Sequence, residues 1–148
     1  MADGEISADA ITADLRTQGD TLSFWRSASE ANGDLEEAVL AIASAGQRLD
    51  KIEVVYLAVE DLRADGHTLK DSAGQTPVAD LVERHVDICQ LDYVRLGKVA
   101  QRVVEAIRLE HYRRLTKKRV KELLLTAIEQ ERIHPDDLAD SLRKDLAN

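Results

Sequence analysis

Between Pro77 and Pro135 the chain contains no proline and a single glycine, Gly97. A stretch this free of backbone breakers constrains the fold more than any other feature, because proline and glycine are what end helices. Thr76-Pro77 reads as a helix start, with a hydroxyl at the N-cap and proline at the first helical position. From Val82 an apolar stripe steps by four and three through Val86, Cys89, Tyr93, Leu96, Ala100, Val103 and Ile107. That seven-residue spacing predicts a long helix with a coiled-coil-like seam. The seam breaks at Glu110 and resumes at Val120, Leu123, Leu124, Ala127 and Ile128. Whether Gly97 and Glu110 mark bends stays open.

The remaining segments also read as helices. One is expected from Ser7 to Gln18, and a short second one through Phe24 and Trp25, stopped by Asn32-Gly33. A third opens at Asp34 and buries Leu35, Val39 and Ile42 as far as Gly46. A fourth runs from Asp50 to Ala64 on Ile52, Val55, Tyr56, Val59 and Leu62, and Asp65-Gly66 ends it. Residues 67–76 form a polar connection. A last amphipathic helix begins at Asp136-Asp137 and carries Leu138, Leu142 and Leu146 on one face. The expected fold class is therefore all-α: a small N-terminal helical region over 1–48, then a long helical hairpin over 49–134, which is the oligomerisation core. A C-terminal amphipathic helix occupies 135–148. Only 3% of residues are aromatic, so the core must be aliphatic.

The chemistry that the composition excludes is extensive. A single cysteine, Cys89, and four histidines leave no disulfide framework and little material for zinc. No glycine-rich phosphate loop and no nucleophile elbow is present. His85 and Cys89 have the spacing of a metal pair on a helix, but no further ligands accompany them, and packing is the better account. Glu36-Glu37 and Asp136-Asp137 sit where helix starts are expected, and helix-dipole stabilisation explains them without acid–base catalysis. The reading is a non-enzyme with no catalytic residues, no metal and no cofactor. No apolar run is long enough to span a membrane. The single cysteine favours a reducing compartment, so the expected location is cytoplasmic.

Charge is distributed unevenly. The chain carries −8 overall, yet residues 1–80 carry −10 and residues 110–121 carry +5. The basic segment is Arg113, Arg114, Lys117, Lys118, Arg119 and Lys121. On a helix, Arg114, Lys117, Lys118 and Lys121 share one face and can straddle a phosphate backbone. A solvated stretch of helix paired with Glu110 and Glu122 is the competing reading. A helix-turn-helix at residues 20–45 is disfavoured, because acidic Asp34, Glu36 and Glu37 would face phosphates.

The order of features resembles a known family. Phe24-Trp25 is followed by an acidic-capped helical region. Leu49-Asp50 opens a helix with Tyr56-Leu57 and Glu60-Asp61-Leu62. Gly66 precedes His67-Thr68, Gly74 lies in the connection, Pro77 starts a long helix, and Leu96-Gly97 punctuates it. This resembles phage terminase small subunits, over roughly residues 20–100. The resemblance implies a ring-forming, homo-oligomeric adaptor in viral genome packaging, which would bind double-stranded DNA and deliver it to the large terminase subunit with its ATPase and nuclease. The basic cluster would then contact DNA. Val82, Val86, Cys89, Tyr93, Leu96, Val103 and Ile107 would form the assembly seam. Leu138, Leu142 and Leu146 would dock a partner. A helical scaffold subunit of a nucleoprotein complex and a dimeric DNA-binding regulator are the alternatives.

Overall fold

The structure, a computed structural model, describes residues 21–148. The helix expected over 7–18 lies outside them. Strand β1 (Leu22–Trp25) leads to α1 (Asn32–Ser44), β2 (Ile52–Val55), α2 (Val59–Ala64) and β3 (Thr68–Asp71). A 3-10 helix (Ala79–Arg84) runs into β4 (His85–Cys89), followed by α3 (Tyr93–Arg108), β5 (Tyr112–Leu115) and α4 (Lys117–Glu129). A second 3-10 helix (Pro135–Asp137) precedes α5 (Asp140–Ala147).

The fold is mixed α/β, which overturns the all-α expectation. One sheet has the order β1-β4-β3, and β2 pairs with β5 in a second. The ladder between β3 and β4 is antiparallel and sets Thr68 opposite Cys89 and Leu69 opposite Ile88. The residues that were to form a long helix after Pro77 instead divide among a 3-10 helix, β4, α3, β5 and α4. The coiled-coil seam dissolves with them. Val82 lies on the 3-10 helix, Val86 and Cys89 on β4, and Tyr93, Leu96, Val103 and Ile107 on α3. In His85-Val86-Asp87-Ile88-Cys89 the burial alternates, with Val86 and Ile88 inside, which is the period of a strand.

Three helix ends share one closure, and the one at Glu110 cuts the expected continuous helix. Gly66, Glu110 and Glu131 all have positive φ, at 85°, 62° and 59°. At Glu110 the next amide, His111 N–H, donates to Ala106 O at 2.8 Å, and Glu110 N–H donates to Ile107 O at 3.2 Å. The same pair of bonds recurs at Gly66–His67 and at Glu131–Arg132. This is the Schellman closure, which satisfies orphan carbonyls at a helix end and normally employs glycine. Glutamate at two of the three positions removes the signal that a reader of sequence looks for.

Contacts divide the chain into two compact units. Of the described residues, the first unit takes 21–24, 54–72 and 86–113. Its core is Leu62, Ile88, Leu91 and Val99, with Leu22, Phe24, Leu57, Leu69, Leu96 and Val103 packed against them. The second unit takes 25–53, 73–85 and 114–148. There α1 packs on α4 and on the first 3-10 helix. Leu35, Val39, Leu81, Val120, Leu124 and Ile133 are buried in this unit, as are Leu138, Leu142 and Leu146. No helix among the described residues is long and apolar enough to cross a membrane.

Candidate nucleic-acid interface

The basic segment does not form one helical face. Arg113 and Arg114 are the middle residues of β5, Thr116 caps, and Lys117, Lys118 and Arg119 make the first turn of α4. The Thr116 hydroxyl accepts from Arg119 N–H at 3.2 Å, which fixes the start of the helix. Val120, Leu124 and Ala127 bury the opposite side of α4. The strand takes Arg113 and Arg114 because the left-handed Glu110 has already turned the chain out of α3.

The six cations then have different fates. Arg113 donates to the carbonyls of Glu110 and Tyr112 at 2.8 and 2.9 Å and lies 6.0 Å from the centre of the Tyr56 ring. Arg114 stands 3.9 Å from the Glu53 carboxylate, with both side chains about half exposed. Arg119 is held by Glu36 and by Glu122, whose hydrogen bonds keep its guanidinium above the ordinary arginine value. Lys117, Lys118 and Lys121 make no ion pair among the described residues; Lys117 and Lys118 are exposed and Lys121 is half-buried. Lys117 lies near enough to Asp145 to add to the lowering of that carboxyl, after the larger effects of Arg48 and Leu49 N–H.

The first turn of α4 contains no acidic residue to match the helix dipole. Cations at a helix N-terminus oppose the dipole, each by about 0.3–1 kcal/mol at low salt. Lys117 and Lys118 are exposed in that turn without an ion pair among the described residues, whereas Arg119 beside them is engaged by Glu36 and Glu122. Such an end is suited to phosphate or another anion.

Other expected groups are placed differently. His85 and Cys89 lie on a strand, so their Cα atoms are about 13 Å apart rather than one helical turn. His85 instead meets Trp25 edge-on at 5.1 Å. No cluster of three metal-ligating side chains occurs among the described residues. Glu36 and Glu37 are not at the start of α1, which begins at Asn32. They pair with Arg119 and Arg132. Asp136 and Asp137 lie on a 3-10 helix, and Asp136 receives Arg143 at 3.1 Å. The helix-turn-helix at residues 20–45 is absent, since β1 stands where its first helix would be. Of the seam residues, Val86 is buried, Val82, Cys89, Leu96 and Val103 are half-buried, and Ile107 is 39% and Tyr93 95% exposed. Leu138, Leu142 and Leu146 are 4%, 0% and 8% exposed, which places all three in the core of the second unit.

Pairs between distant residues carry no sequence signal and were missed. Arg48 reaches Asp145 at 2.8 Å beside an open polar groove of about 640 Å³ lined by Gln47, Ser141 and Lys144. Arg132 bridges Glu37 and Asp80 at 2.8 and 3.0 Å. Arg102 grips Asp65 at 2.7 and 2.9 Å.

With this geometry in hand, comparison with known proteins finds no match: no family model, no curated protein and no solved structure corresponds to the chain.

Proposed function

We propose that the chain is a non-enzymatic DNA-binding adaptor that meets the phosphate backbone of double-stranded DNA at the start of α4. The observation that carries this reading is the pair of exposed lysines at 117 and 118, without an ion pair among the described residues, at the end of the helix where their charge is unfavourable, with Lys121 one turn further on. A protein tolerates that cost where a ligand offsets it. Arg114, weakly held by Glu53, extends the surface on the strand side. Arg113 and Arg119 act as supports, because their guanidinium groups are already engaged. Phosphate contacts of this kind supply affinity rather than sequence choice.

The net charge of −8 opposes long-range attraction, so one copy binds weakly and repetition in a homo-oligomer strengthens it. The narrower role, delivery of viral DNA to a large terminase subunit by a ring of copies, rests on the sequence resemblance over residues 20–100. The elements behind that resemblance are now redrawn, since no long helix starts at Pro77. Light scattering is expected to give a ring-sized mass under that role; a monomer would remove its support.

The decisive experiment is duplex DNA titration at two salt concentrations, with the triple charge reversal of Arg114, Lys117 and Lys118 to Glu. Binding of the parent is expected to fall steeply with salt. The triple variant is expected to lose binding while keeping its circular dichroism spectrum. Unchanged binding in a folded triple variant overturns the reading.

A further inference from the structure

The corner between α2 and β3 encloses a polar ring with nothing to bond. His67 is 6% exposed, and neither its Nδ1 nor its Nε2 has a hydrogen-bond partner. Its position is fixed from both sides. The His67 N–H donates to Leu62 O at 3.1 Å, which is part of the left-handed closure at Gly66. The next residue, Thr68, is registered opposite Cys89 in the β3–β4 ladder. The backbone that carries the ring is thus held by the cap on one side and by the sheet on the other. A buried polar group without a partner is costly, and its charged form far more so.

The charges around the ring sharpen the point. Asp65 is on the same corner, but Arg102 holds both oxygens of its carboxylate. Asp61 and Glu105 also approach Arg102, at 3.7 and 3.5 Å. From α3 come Arg95, bonded to Gln90 O at 2.9 Å, and Lys98, 3.4 Å from Asp65 O. A proton on His67 adds a fourth positive charge to Arg102, Arg95 and Lys98, and the carboxylate that acts on the ring, Asp65, is already bonded to Arg102.

We propose that His67 is an acid-operated latch: taking up a proton releases the α2–β3 corner from α3 and loosens the first unit. This device is separate from the DNA-binding reading, since none of its groups lies on β5 or α4. Burial pushes the imidazole below its ordinary value, Asp65 works against that, and Lys98, Arg95 and Arg102 add to it. The folded state therefore binds this proton less readily than the unfolded chain. Stability from the neutral ring is fully present above about pH 6.5, the ordinary histidine value. It declines as the pH falls from there toward the folded-state pKa.

The test is nuclear magnetic resonance on the whole chain between pH 8 and pH 5, reading the His67 ring and the amide protection factors of residues 62–70 and 95–102. His67 is expected to titrate below a free imidazole. Protection is expected to drop by up to about tenfold per pH unit in that window, the limit for one proton. His67→Leu is expected to flatten that dependence, and His67→Gln serves as the second variant. A His67 ring that titrates like a free imidazole, or the same loss of protection in a folded variant, overturns the proposal. Should neither variant fold, the titration of the parent ring decides.

Discussion

Arg102 and Lys118 are both cations on amphipathic helices, one in each unit, and their surroundings differ completely. Arg102 is 28% exposed and is met by Asp65, Asp61 and Glu105. Those partners hold its guanidinium well above the ordinary arginine value. Lys118 is exposed in the first turn of α4, with no ion pair among the described residues and no acid in that turn. The first cation belongs to the architecture: it ties α3 to the corner that shelters His67. The second detracts from the helix that carries it. The difference separates charges that a fold consumes from charges that it leaves available, and only the second kind can serve a ligand without dismantling the protein.

Emptying either core is expected to cost the most stability. Ile88 and Leu124 are both 0% exposed, in the first and second unit respectively. Ile88→Ala and Leu124→Ala are each expected to lose about 2–5 kcal/mol in urea denaturation, the range for emptying a close-packed aliphatic site. A loss under 1 kcal/mol at either position would mean that the unit is not packed as described.

A smaller effect is expected from Asp65→Asn, which leaves Arg102 without its bidentate acceptor. Hydrogen bonding from Arg102 holds the Asp65 carboxyl below the ordinary carboxylate range. Its contribution is thus present above about pH 4, the unfolded value, and lost as the pH falls through the depressed folded value. Asp65→Asn is expected to lower the melting temperature at pH 7 and to weaken the acid dependence below pH 4. That window lies below the one assigned to His67, so a pH series distinguishes the two groups.

The smallest expected change has the opposite sign. Lys118→Glu places an acid where the α4 dipole favours one, and stability is expected to rise by about 0.3–1 kcal/mol. DNA affinity is expected to fall in the same variant. A gain in stability with unchanged binding would assign Lys118 to the solvated surface and sharpen the interface to Arg114, Lys117 and Lys121.

What the sequence displays depends on how local each signal is. The helix at α1 is legible from Leu35 and Val39, but Asn32-Gly33, expected to stop a preceding helix, forms the first turn of α1 itself. Asp65-Gly66 is legible as a stop because glycine marks a left-handed turn openly. The end of α3 is not, because Glu110 takes the same conformation without the usual residue. The strands were hidden for a different reason. Val86 and Cys89 fit steps of three and four as well as Val86 and Ile88 fit steps of two, and a five-residue strand is too short to decide between them. Four-residue strands such as Tyr112–Leu115 hold still less periodicity. Of the interface, the basic residue types were visible at once. Their division into engaged Arg113 and Arg119 and open Lys117 and Lys118 was not, since Tyr56 and Glu36 are far away in the chain.

The interleaving of the two units has a consequence for the order of events as the chain emerges from the ribosome. The first unit draws on a stretch ending at residue 113, and the second needs residues 114–148 to supply α4 and α5. Residues 25–53 and 73–85 of the second unit are therefore made long before the helices that cover Leu35, Val39 and Leu81. During that interval α1 has the first 3-10 helix to pack on but not α4, and closure of distant segments is slow compared with local helix formation. Until the C-terminal helices arrive the core of the second unit stays incomplete, the kind of state most open to aggregation.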